Sequence, residues 1–135
     1  MSIDIFLFFD GDCRQALEFY AKVFKQELPK QIMTYGQNPE GAPEADRDRI
    51  IYASMPLYGM NMMFSDCPSG QEPIIKGNNF SITIGHSDAE EIKRIFLELS
   101  EGGEVLMPLG KTFFSESFGM VCDKFDITWQ LSLAA

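Results

Sequence analysis

Histidine is almost missing from this sequence: His86 is the only one in 135 residues. One imidazole cannot build a histidine-rich metal centre, and no Ser-His-Asp set accompanies it. His86 itself reads as a strand-end or capping residue. The three cysteines, Cys13, Cys67 and Cys122, are odd in number and lack metal-site spacing, so a reduced, cytoplasmic protein is the expectation. Basic residues are scarce too. Eleven Lys and Arg against twenty Asp and Glu leave a net charge of −9 and a pI near 4.5. No basic stripe exists to displace counterions from phosphates, so nucleic acid is excluded as a partner. No apolar run approaches a membrane span and no basic stretch opens a signal peptide, so no membrane partner is expected. There is no glycine-rich loop for a phosphate or for S-adenosylmethionine. No cofactor is implied.

What is present is an ordinary globular composition, 45% hydrophobic and 23% charged, in a length that suits one domain, 1–135. "IDIFLFF" is a strand-type run. "DGD" turns the chain, and Asp12 with Gln15 forms an N-cap pair for a helix whose apolar stripe is Ala16, Phe19, Tyr20, Val23 and Phe24. "KQIMTYG" reads as a strand, and residues 36–49 as a polar, mobile loop. "IIYASMPLYG" and "MNMMFSD" are a strand pair turning at Gly59. The order then restarts. "NFSITIG" is a strand, Ser87 with Glu90 or Asp88 with Glu91 caps a helix, and Ile92, Ile95, Phe96 and Leu99 form its stripe. Gly102 and Gly103 stop it. "EVLMPLGKTFF", "FGMVCDK" and "ITWQLSL" are strand candidates.

A shift of 76 positions lays Phe6 and Phe8 on Ile82 and Ile84, Asp12 on Asp88, and one helix stripe on the other. Strand, cap and stripe agree at one offset, which predicts two βαβββ modules at about 1–66 and 78–135 in an α+β fold. The last strand poses a question. Trp129 and Leu131 alternate with Thr128, Gln130 and Ser132, a polar face without charge in an acidic protein. Such a face looks either at water or into a cavity.

The tandem of βαβββ modules resembles the vicinal-oxygen-chelate superfamily, which includes glyoxalase I, ring-cleaving dioxygenases and bleomycin-resistance proteins. "GDCRQALEFYAKVF" and "GEVLMPLGKTFFSESFGMVCDKFDITWQLSL" are similar to its PhnB-like branch, whose C-terminal pattern runs "MPL…TFW…GMV.DKFG..W". Phe114 and Ser115 depart from Trp-Gly, and Asp126 from the Gly after "DKF". The resemblance implies the glyoxalase-like fold, curled mixed sheets enclosing a concave cleft with helices on the convex face. On that frame Phe6, Phe8, Phe80, Ile82 and Ile84 meet the helices. Ile5, Leu7, Phe9, Met63, Ser81, Thr83, Thr128 and Gln130 then line the cleft as ligand-binding residues.

Metal enzymes of the superfamily take a ligand from each of four strands, and the matching positions here are Ile5, Met63, Ser81 and Gln130. Alkyl, thioether, hydroxyl and amide groups do not make the imidazole-carboxylate shell of Zn²⁺, Ni²⁺ or Fe²⁺, so no metal is expected. Cys13 lies in a first helical turn, where the dipole lowers a thiol pKa, but a small residue filling that turn is the plainer reading. Glu40, Glu44, Asp46, Asp48, Glu90 and Glu91 read as solvated charges, leaving Asp66 and Glu116 as acid candidates. Met55, Met60, Met62 and Met63 are core filling or an adaptable apolar wall, with Tyr52, Tyr58, Phe113, Phe114 and Phe118 as nearby aromatic surface. The resulting expectation is a non-metal binder of a small molecule, acting as a homodimer. A metal-independent enzyme using acid-base chemistry is one alternative. A dimeric interaction protein whose cavity is filled by its own side chains is the other.

Overall fold

The computed structural model describes residues 1–134. It contains two units, Met1–Ile75 and a second beginning at Lys76. The first holds β1 (Ile5–Phe9), α1 (Cys13–Val23), β2 (Met33–Thr34), β3 (Ile50–Leu57) and β4 (Met60–Asp66). The second holds β5 (Ile82–His86), α2 (Ala89–Ser100), β6 (Glu104–Gly110), β7 (Phe118–Cys122) and β8 (Thr128–Leu133). Their sheets run β1-β4-β3-β2 and β5-β8-β7-β6. In each, the first strand lies parallel to the last and the other neighbours are antiparallel. The two βαβββ modules expected from the repeat are therefore present, as open mixed sheets.

In the second unit the predicted stripe is the buried one: Ile92, Ile95, Phe96 and Leu99 pack towards Ile82, Ile84, Trp129, Leu131 and Val121. Gly119 explains the glycine of "GMV". A Cβ there would lie 2.8 Å from the Phe96 ring and 3.0 Å from the Met107 carbonyl, so only a bare backbone lets the helix this close. Asp88 caps α2 by accepting from the Glu90 N–H at 3.0 Å. Phe80 departs from expectation. It precedes β5 and is exposed rather than packed under the helix.

The first unit corrects the predicted parity of β1. Leu7 and Phe9 are buried, with Ile5 on the same face, in register with Phe64, Asp66 and Met62, whereas Phe6 and Phe8 are exposed. Phe9 and Tyr20 of α1 both lie about 6 Å, ring to ring, from Phe64, which puts this face under the helix. Ile5, Leu7 and Phe9 thus belong to the helix side, not to the cleft side. The cause is one residue. Three positions carry the chain from buried Phe9 to Asp12, but four carry it from buried Ile84 to Asp88. The helices match at an offset of 76 while the strands match at 75, and a one-residue slip turns every strand side chain over.

Asp66 enforces the shorter turn. Its Oδ1 accepts from the Gly11 N–H at 2.8 Å and the Cys13 N–H at 3.0 Å, and Oδ2 from the Ile50 N–H at 2.9 Å. This carboxylate satisfies the start of α1 in place of Asp12, which occupies the N-cap position but makes no side-chain capping bond. The loop after β2 is likewise pinned. Asp46 is buried, accepts from the Ser69 N–H, and faces the Arg49 guanidinium, which also reaches Asp10 and the Cys67 carbonyl. Asp46 is therefore not the solvated charge expected. The strand expected from "KQIMTYG" shortens to Met33–Thr34 because the Gln37 side chain accepts from the Thr34 N–H, folding the chain into a 3-10 turn.

Asp66→Asn leaves an amide N–H pointing at a backbone donor, removing a charge-assisted bond and stranding a buried group. We expect a loss of about 2 to 4 kcal/mol in urea unfolding. A change under about 0.5 kcal/mol would show that the turn holds itself.

Candidate functional site

Each sheet has a helix on one face and a second face turned away from it, and the second face is where unassigned polar and aromatic side chains collect. In the second unit Thr83, Gln130 and Met120 form one cross-strand row, Cys122 and Thr128 another, and Gly85, Ser132 and Phe118 a third. Gln130, Thr128 and Ser132 are half-buried, and Ser81 stands just before β5 on the parity of Thr83. The Thr83 hydroxyl and the Gln130 carbonyl oxygen are 3.5 Å apart, a weak bond that leaves capacity on the amide. Glu104 on the outermost strand stands beside Cys122 and brings a carboxylate to the edge of this face.

In the first unit the corresponding face carries Phe6, Phe8, Tyr52, Ser54, Met63 and Ser65. Phe6 lies beside Met63, and Met63 beside Ser54. Of the residues proposed from sequence, Met63, Thr83, Thr128 and Gln130 stand on these helix-free faces, with Ser81 at a rim. The methionine cluster divides. Met55 and Met62 are fully buried core, whereas Met63 turns outward. Phe6 and Phe8 were missed, and the count of residues between strand and helix cap was the signal that would have found them.

The carboxylates are engaged structurally. Asp66 is the turn lock. Asp123, which sequence reasoning passed over, is its counterpart: buried, it accepts from the Phe125 and Ile127 N–H groups and, through Oδ2, from the Trp129 indole at 2.8 Å. Glu116 is exposed, 3.7 Å from Lys111. His86 Nδ1 accepts from the Asp88 N–H at 2.9 Å, a capping contact. Cys13 is wholly buried, and burial first, then Asp66 and Asp12, push its thiol pKa far up, the opposite of nucleophile activation. Burial also raises Cys122 and Tyr35. Among the described residues no three His, Cys, Asp or Glu side chains gather to hold a metal ion. The four superfamily positions do not fit one either: Ile5 faces the helix side, and Met63, Ser81 and Gln130 offer only neutral donors.

A family model described as 3-demethylubiquinone-9 3-methyltransferase matches residues 1–132. The chain belongs to this PhnB-like family. It is 32% identical to the PhnB protein of Bacillus cereus over 99% of this chain and all of that one, with a TM-score of 0.81. Protein PA1353 of Pseudomonas aeruginosa is 31% identical over 98% and 97% of the two chains, with a TM-score of 0.87. The fosfomycin resistance protein FosX of Listeria monocytogenes, 12% identical, covers 100% of this chain and 94% of its own at a TM-score of 0.63, and so shares the glyoxalase fold.

Two departures from the PhnB-like pattern now have physical accounts. Asp126, where the pattern has Gly, takes φ +66 and donates its N–H to the Asp123 carbonyl, a left-handed turn position that Asp tolerates better than most residues. Ser115, in place of Gly, is buried, its hydroxyl 2.9 Å from the Ser117 carbonyl and 3.2 Å from that of Leu133. These contacts fix the loop that presents Phe113 and Phe114 beside a shallow recess of about 380 Å³. No helix among the described residues is long and apolar enough to cross a membrane.

A thiol reagent at pH 8 should modify the half-buried Cys67 and Cys122 of the folded protein and spare Cys13, as mass mapping will check. A free thiol ionises near 9.0, so the stability carried by protonated, buried Cys13 is complete below that pH and is lost as pH rises towards the folded value. Urea midpoints should therefore fall on the alkaline side, and less steeply in Cys13→Ala.

Proposed function

We propose that this PhnB-like protein binds a small molecule on the helix-free faces of its sheets and needs no metal or organic cofactor to do so. The observation that carries this reading is the chemistry of those faces. In a chain of net charge −9, the strands β1, β3, β5, β7 and β8 contribute only neutral side chains there, and Thr128 and Gln130 are half-buried with spare hydrogen-bonding capacity. On the first sheet the proposed contacts are Met63, Phe6 and Phe8, the last two replacing Ile5, Leu7 and Phe9; on the second they are Ser81, Thr83, Thr128 and Gln130. Catalysis by general acid-base chemistry is disfavoured because Asp66 and Asp123 already accept several bonds and Glu116 points to solvent. Methyl transfer, which the family description names, finds no glycine-rich S-adenosylmethionine loop in this sequence.

The test is native mass spectrometry of protein taken gently from its expression host. Wild type should retain a small organic molecule that Gln130→Glu releases, because the variant places a desolvated charge in the face. Gln130→Leu should lose the molecule too, while a fully hydrated Gln130 would leave binding unchanged and stability within a few tenths of a kcal/mol. About one equivalent of bound Zn, Ni or Fe by elemental analysis would overturn the reading.

A second feature favours self-association. β6 is an edge strand with Val105, Leu106 and Met107 all exposed, followed by exposed Phe113 and Phe114. An apolar open edge of this kind seeks a partner, and a second copy satisfies it by two-fold pairing. Light scattering at micromolar concentration should give a homodimer, and Leu106→Asp a monomer. A monomeric wild type would contradict this assignment.

A further inference from the structure

The helix-free face of the first sheet differs from that of the second in being aromatic. Phe6 and Phe8 stack at 4.9 Å with 17° between their planes, and Tyr52 leans towards Phe6 at 6.2 Å and 55°. Phe8 stands beside Ser65 across β1 and β4, and Ser65 is buried, with the Tyr35 hydroxyl as a hydrogen-bond partner. The rings are 37%, 56% and 41% exposed, which is surface withheld from the core. Met63 and Met33 bring thioethers to the same face, Met33 standing opposite Tyr52.

We propose that this face takes a planar aromatic cation. The inference rests on the small-molecule reading above and gives it a ligand class. Stacking on Phe6, Phe8 and Tyr52 selects a flat ring system, and polarizable sulfur suits the same surface. Charge selects the sign. The ring faces carry negative quadrupole potential, no Lys or Arg occurs in β1, β2, β3 or β4, and the whole chain carries −9. An anion here would meet no Lys or Arg on these four strands and an unfavourable field. A cation would gain from both.

The probes are two flat tricyclics of opposite charge, aminoacridinium and anthracene carboxylate, titrated by fluorescence at low salt. The cation should bind about tenfold more tightly or better, and weaken as salt is raised. Phe8→Leu keeps apolar area but removes the π face, so it should weaken the cation several-fold and the anion little. Phe8 is exposed, and circular dichroism should confirm that this variant folds. If both probes bind equally and both are lost in Phe8→Leu, the charge preference is wrong although a small-molecule face remains. If neither probe responds to Phe8, and Phe8→Ala instead converts a dimer to a monomer, a second copy occupies the face and the ligand reading of this face falls with the inference.

Discussion

The carboxylate of Asp66 sits at the end of β4 and decides how the first unit is assembled. By accepting from Gly11, Cys13 and Ile50 it joins the last strand to the start of α1 and to the start of β3, three segments distant in sequence. Each bond is modest when exchanged against water, but a buried charged acceptor of several donors is expensive to lose. The turn it holds is one residue shorter than its counterpart before α2. That difference puts Leu7 and Phe9 under the helix and turns Phe6 and Phe8 away from it. Asp123 performs related work in the second unit, tying the β7–β8 turn to the Trp129 indole and so seating the largest side chain of that core. Both of these buried acids are architectural.

From this follows the division of labour between faces. The helix sides are aliphatic and aromatic and nearly dry. The opposite faces are neutral apart from Glu104 on the outermost strand, and are built of hydroxyls, an amide, thioethers and, in the first unit, phenyl and phenol rings. Such surfaces suit recognition by shape, stacking and a few hydrogen bonds. The buried carboxylates Asp66 and Asp123 are spent on turns, and the buried Cys13 thiol is held protonated. The PhnB-like chain keeps the glyoxalase fold while filling its superfamily ligand positions with groups that do not hold a transition metal.

Much of this was legible in the sequence. The α2 stripe, the Gly59 turn, the glycine stop after α2 and the alternation of β8 all follow from local periodicity and turn chemistry, and the structure keeps them. The repeat revealed the duplicated βαβββ order because cap and stripe recur together. What periodicity could not settle was β1. "IFLFF" is apolar throughout, so neither parity is marked by a polar residue, and the face had to be borrowed from the second module through an offset that was wrong by one. Long-range bonds were equally invisible: nothing local tells that Asp66 reaches Gly11, or that Asp46 is buried beside Arg49. The polar face of β8 was visible because its partner residues were plainly hydrophobic.

Which side of β1 is core decides the face assignment, and paired serine substitutions measure that directly. Leu7→Ser removes a buried side chain and places a hydroxyl among Phe64 and its neighbours, so urea unfolding should lose about 3 kcal/mol or more. Phe8→Ser removes an exposed ring and should change stability by less than about 1 kcal/mol. The reverse order, with Phe8→Ser the damaging change and Leu7→Ser tolerated, would place Phe6 and Phe8 under the helix and contradict the face assignment on which the ligand reading stands.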